Sequence, residues 1–155
     1  MYNWENSFKR VNMEFNMDRS VGFLLNRTAT ASKARFGSLI KDYGISAEQW
    51  TVLFRVVEKS GISQKELAES TYKDQGNLTR MIDKLVEKGY LSKIPDEQDR
   101  RAYKLFAAPK AKDMVRKIIP VSSRHNEKLT ENFTEEERSQ LNRLLNKLYE
   151  NTQRR

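Results

Sequence analysis

The stretch from Ser63 to Phe106 constrains the fold most, because two helical segments run there directly into a pair of short strands. The helical segments are Ser63–Thr71 and Asp74–Lys88. In the second, Leu78, Met81, Ile82, Leu85 and Val86 fall at i, i+3, i+4, i+7 and i+8, the spacing of one apolar helical face. Lys88 in its last turn and Gly89 just beyond are stop signals. The strands that follow, Tyr90–Ile94 and Ala102–Phe106, flank a polar turn that opens on Pro95 and ends on Asp99, Arg100 and Arg101.

Helix signals dominate the rest of the chain. Ser46 with Gln49, Ser63 with Glu66 and Thr134 with Glu137 each place a hydroxyl three residues before a long polar side chain. In such a box the hydroxyl accepts from the third helical N–H, and the longer side chain reaches back to the cap N–H. Asp74 is a fourth cap candidate. The first long helix is expected from Met17 to Tyr43, with Gly44 as a left-handed terminator. The helix from Ser46 carries Trp50, Leu53, Phe54 and Val57 on one expected buried face and stops near Ser60-Gly61. Pro109 suits the first turn of the next helix, and Pro120 inside it is expected to kink or split it. The last helix is expected from about Glu135 to Glu150. At the N-terminus, Trp4, Phe8, Val11 and Phe15 fall on one helical face, an amphipathic extension over residues 1–16.

Composition narrows the function. The formal charge of +8 on 155 residues favours a polyanionic partner, nucleic acid or an anionic membrane surface. The absence of cysteine excludes disulfides, thiolate metal sites, thiol redox sensing and a cysteine nucleophile. His125 is the sole histidine and has no clustered ligands in sequence; it reads as a surface or interface residue, and no metal or other cofactor is expected. No catalytic constellation is visible, and Glu135-Glu136-Glu137 reads as acids favouring a helix N-terminus rather than as general acid/base groups. With no apolar run of spanning length and no signal peptide, a cytoplasmic protein without membrane contact is expected.

Two helices followed by a hairpin with a basic tip form the order of a winged helix-turn-helix. A helix packed through Leu78, Met81, Ile82 and Leu85 turns Gln75, Asn77, Thr79, Arg80 and Lys84 away from that core or along its edge. Amides can pair doubly with adenine, arginine with guanine, and a threonine methyl can touch thymine. Arg100 and Arg101 at the hairpin tip suit a narrow minor groove, and Asp99 can hold Arg101 extended. Lys65, Lys73 and Lys84 are candidate phosphate contacts, which position without specifying. Each feature alone also fits an ordinary solvated face or a charged turn; their order along the chain favours double-stranded DNA.

On these residues the chain resembles the MarR family of bacterial transcription regulators, over roughly Val21 to Tyr149. The stretches that carry the resemblance are 44–53, 64–68 and 77–91, followed at the right distance by Asp99-Arg100-Arg101. The resemblance implies a homodimer whose first and last two helices interlock, here 17–45 with 109–155, around two winged helix-turn-helix lobes, here 46–108. Half-sites of a pseudo-palindrome would then lie about one helical turn apart. It also implies a recognition helix Asp74–Lys88, base readers Gln75, Asn77, Thr79 and Arg80, and a wing arginine, Arg101. Two features depart from the family pattern: the N-terminal extension, and Ala107-Ala108-Pro109-Lys110 where a threonine cap is common.

Members of such a family commonly answer to a small aromatic or phenolic, often anionic, effector. Tyr43 and Trp50 are the candidates to line its pocket, although a tryptophan on an apolar helical face is more often core. The expected function is a sequence-specific, homodimeric repressor released by such a ligand. The alternative is a winged-helix DNA-binding or protein-interaction module with no small-molecule effector. Arg101→Ala is expected to weaken specific DNA binding by about 1–3 kcal/mol without unfolding the protein. Unchanged affinity in a binding titration would remove the wing from recognition.

Overall fold

The computed structural model describes residues 16–97, 99 and 102–154. The extension residues Trp4, Phe8, Val11 and Phe15 and the wing arginines Arg100 and Arg101 lie outside the described residues. In chain order the elements are α1 (Val21–Ile40), α2 (Ala47–Glu58), β1 (Ile62–Ser63), α3 (Gln64–Thr71), α4 (Gln75–Glu87), β2 (Leu91–Pro95), β3 (Tyr103–Ala107), α5 (Pro109–Leu129) and α6 (Glu135–Gln153). Short 3-10 turns, Met17–Arg19 and Lys41–Tyr43, bracket α1. The fold is therefore mainly α with a small antiparallel sheet, a winged helix-turn-helix joined to long helices.

The expected caps form. Ser46, Ser63 and Thr134 each accept from the third helical N–H while Gln49, Glu66 and Glu137 reach back, so all three capping boxes are complete. Asp74 accepts from the N–H of Asn77 at the start of α4. Gly44 adopts φ +71 and ends the Lys41–Tyr43 turn, the left-handed stop expected of it. The single helix expected over Met17–Tyr43 is instead an α-helix with a tightened 3-10 turn at each end.

The chain divides into two compact units within α5, one ending at Val115 and the other beginning at Arg116. In the first unit α2 is the hub, packed against α1, α3, α4 and β3. Because neighbours surround it, its buried stripe is Gln49, Trp50, Val52, Leu53 and Val56, while the expected Phe54 and Val57 are only half-buried. In α4, Leu78, Ile82 and Leu85 have no exposed surface, and Met81 and Val86 flank them half-buried. The sheet order is β1-β3-β2, with Leu91 opposite Ala107 and Pro95 opposite Tyr103, one residue later than expected for both hairpin strands. β1 was not foreseen: two residues, Ile62 opposite Leu105 and Ser63 opposite Lys104, are too few to show alternation in sequence.

In the second unit α6 has no buried residue, and Leu144, Leu145 and Tyr149 are exposed. Two expectations for α5 are each narrowed to one alternative. Pro120 does not split the helix, which runs through it from Pro109 to Leu129; proline removes one amide donor and the adjoining turns keep theirs. His125 is not a surface residue in this chain but is 6 % exposed.

Ile82→Ala is expected to destabilise the protein by about 2–5 kcal/mol, because it empties a fully buried site. Asn77→Ala, earlier on the exposed face, is expected to cost no more than about 1 kcal/mol, since it removes only exposed side-chain hydrogen bonds. Denaturant melts of the two variants check this, and a large loss for Asn77→Ala would mean that the faces of α4 are misassigned.

Candidate nucleic-acid interface

Helix α4 turns its apolar stripe inward, so its first turns present Gln75, Asn77 and Arg80 to solvent, with Thr79 half-buried at the edge and Lys84 exposed one turn on. These side chains are held before any partner arrives. Asp74 accepts from the Asn77 backbone N–H at 2.9 Å and from the Asn77 amide at 2.5 Å. Asn77 Oδ1 in turn accepts from an Arg80 guanidinium N–H at 2.6 Å. The three residues thus form one relay along the exposed face. Thr79 belongs to a second set: its hydroxyl donates to the Gln75 carbonyl at 2.8 Å and accepts from Gln64 Nε2 at 2.6 Å. The donor of that hydroxyl is engaged, and its methyl group is the part left to touch a base.

The hairpin is tied to the same helix. Lys93 on β2 pairs with Asp83 on α4. At the tip, the Asp96 N–H donates to the Ala102 carbonyl and the Ala102 N–H to the Asp99 carbonyl, both at 2.9 Å. Lys104 pairs with Asp96 at 3.5 Å, so this turn acid has a cation beside it within the hairpin. At the C-terminal end of α4, the Lys88 ammonium donates to the Gly44 carbonyl at 2.6 Å, and the Lys110 ammonium donates to the Lys88 carbonyl at 3.0 Å. Helix α4 is therefore fastened to β2 through Asp83 and, at its C-terminal end, to Gly44 and Lys110.

Lys65 is exposed, as a phosphate contact must be. Lys73 is not placed in the same way. Its ammonium pairs with Glu48 near the start of α2, and its side chain is only 14 % exposed. Glu48 also pairs with Lys33 on α1. The Lys33 and Lys73 ammonium groups, in that order of effect, hold the Glu48 carboxyl below its ordinary range. Sequence reading missed Glu48 because its partners lie far away along the chain, and no local pattern announces such a bridge.

Of the pocket candidates, Trp50 is buried, its ring 6.2 Å from that of Phe36 and 5.4 Å from that of Phe54 between centroids. Tyr43 is half-buried in the 3-10 turn. A separate open concavity of about 610 Å³ lies between α1 and the start of α2, lined in part by Thr30, Lys33, Gly37, Lys41, Ile45 and Glu48. Tyr43 and Trp50 are not among its lining residues. Among the described residues no helix is long and apolar enough to cross a membrane.

Comparison with known proteins agrees with this geometry. The model of the MarR family matches residues 45–103. The HTH-type transcriptional regulator YybA of Bacillus subtilis (strain 168) is 33 % identical over 140 residues, which cover 88 % of each chain. This chain belongs to the MarR family. A MarR transcriptional regulator from Methanosarcina mazei Go1 shares its fold with a TM-score of 0.77 and 30 % identity, covering 85 % of this chain and 95 % of that one. A mutant of MarR from E. coli, solved in complex with operator DNA, aligns with a TM-score of 0.79 and 27 % identity over 86 % of this chain and 96 % of that one. The MarR-family chain described here is accordingly a DNA-binding transcription regulator of the winged helix-turn-helix type.

The Asp74 cap predicts a pH dependence. Hydrogen bonds from the Asn77 backbone N–H and then from the Asn77 amide hold the Asp74 carboxyl below its ordinary value. A lowered folded-state pKa adds stability that is complete above the unfolded pKa, about 3.9, and is lost as pH falls through the lowered value. Asp74→Ala is therefore expected to melt below the parent by a constant margin near neutral pH, and the margin is expected to close on acidification. Melting curves of both proteins across that range check it; a margin that persisted in acid would show that the cap does not act through its charge.

Proposed function

We propose that this chain is a homodimeric repressor that reads a pseudo-palindromic operator through α4 and is released by a small aromatic or anionic ligand. One observation carries the reading: Gln75, Asn77 and Arg80 stand exposed at the N-terminal end of a helix whose opposite face is fully buried. An exposed row of amides and a guanidinium on a rigid helix suits base edges in the major groove. In this reading the hairpin tip with Arg100 and Arg101 enters the neighbouring minor groove, and Lys65 and Lys84 sit against phosphates.

Dimerisation is supported by apolar surface that folding of a single chain leaves uncovered. Val21, Phe23, Leu25 and Leu39 on α1 are exposed, as are Leu144, Leu145 and Tyr149 on α6. Single exposed apolar residues are ordinary, whereas rows of them along long helices mark association surfaces. We assign 17–45 and 109–155 to the dimerisation region and 46–108 to the DNA-binding lobe on this basis. Lys41 in the α1–α2 concavity suits a carboxylate or phenolate effector, whereas Lys33 there is held by Glu48. Such a ligand releases DNA only to the extent that it prefers the lobe arrangement that cannot bind.

The test is fluorescence anisotropy with DNA from upstream of the chain's own gene against scrambled DNA, at several salt concentrations. Tight, site-selective binding of two subunits per site is expected, with log affinity falling linearly in log salt. Arg80→Ala is expected to cost about 1–3 kcal/mol and to relax specificity at one base position. Equal, weak binding to every duplex, including sequences selected from a random pool, would overturn the operator reading.

A further inference from the structure

The turn between α3 and α4 contains a residue in a backbone conformation that its type disfavours. Tyr72 adopts φ +53 and ψ +39, and among the described residues it is the one non-glycine residue with positive φ. It closes α3: its N–H donates to the Ala68 carbonyl, which also accepts from the Lys73 N–H at 3.2 Å. A left-handed residue at a helix C-terminus is the position at which glycine is favoured, because a Cβ there crowds the following carbonyl. Gly44, which ends the turn after α1, meets the same demand with the residue type suited to it.

Burial does not compensate for placing tyrosine there. The side chain is 73 % exposed, more than any other exposed large hydrophobic residue described. A strained backbone carrying a large exposed ring is an outlier that points toward function rather than packing. Its location says which function. Tyr72 lies three residues before Gln75, so its Cα is within about 11 Å of the first residue of α4. The adjacent Lys73, the cation that the turn would otherwise offer to DNA, is occupied by Glu48. The exposed side chain of the turn is therefore the phenol.

We propose that Tyr72 is a DNA-backbone contact, its hydroxyl donating to a phosphate oxygen and its ring lying along the adjoining sugar, so that it sets the register of α4 in the groove. The assignment rests on the docking of α4 proposed above. A contact of this kind positions the protein on any sequence. It is also uncharged, so it contributes affinity without displacing a counterion.

The experiment uses the full-length chain with a duplex selected by the parent protein from a random pool, and with a scrambled version of it. Tyr72→Gly, Tyr72→Phe and Arg80→Ala are compared in binding and melting. Tyr72→Gly is expected to raise the melting temperature, since it relieves the left-handed strain, and yet to weaken binding to both duplexes by about tenfold. The slope of log affinity against log salt is expected not to change. Tyr72→Phe is expected to melt like the parent and to show part of the same loss, which isolates the hydroxyl. Tyr72→Gly binding as tightly as the parent, or melting lower than it, would overturn the assignment. Arg80→Ala separates the two readings: if it loses affinity while Tyr72→Gly does not, only the Tyr72 contact is refuted. If neither loses affinity, the docking of α4 fails and the contact with it.

Discussion

Everything at the surface of the DNA-binding lobe depends on the burial of α2. Val52, Leu53 and Val56 have no exposed surface, and α1, α3, α4 and β3 all pack on this one helix. Packing at the density of a protein interior leaves little freedom to rotate a neighbour without opening a void. The orientation of α4 is therefore set by Leu78, Ile82 and Leu85 seated in the core, and the outward direction of Gln75, Asn77 and Arg80 follows from it. The candidate interface is specified from behind, by residues buried in the core.

On that scaffold the polar groups are arranged in advance. Asp74 performs two tasks at once, capping α4 and anchoring the Asn77–Arg80 relay, so the helix start and the orientation of two exposed side chains share one carboxylate. Glu48 plays a comparable part further back, joining Lys33 of α1 to Lys73 of the turn before α4. Pre-ordering of this kind lowers the side-chain entropy lost on association. In the proposed docking it also means that some present hydrogen bonds are exchanged for new ones when a base edge arrives.

Much of this architecture was legible in sequence, and the reason is locality. Capping boxes act over three residues, and core stripes repeat within two turns; Ser46, Ser63, Thr134 and the Leu78–Leu85 stripe were readable for that reason. The elements that escaped depend on distant partners. β1 exists only because β3 lies beside it. The burial of Val52 and Val56 depends on neighbours on several sides of α2. The Glu48 bridge joins residues far apart along the chain. At the candidate interface, residue types and their face were readable, while the relay among them and the left-handed backbone at Tyr72 were not.

The internal use of lysine changes how the chain should be viewed as a polyelectrolyte. Its formal excess of +8 suggests a broadly cationic body. Yet Lys33 and Lys73 are bound by Glu48, Lys93 by Asp83 and Lys104 by Asp96, while Lys88 and Lys110 hold backbone carbonyls around the end of α4. Many of these cations act as fasteners between elements of the lobe. The number of ions displaced from a duplex counts groups that actually reach phosphates, so it is governed by this allocation rather than by net charge. A basic protein built in this way can be selective among polyanions, because part of its positive charge is already committed to its own fold.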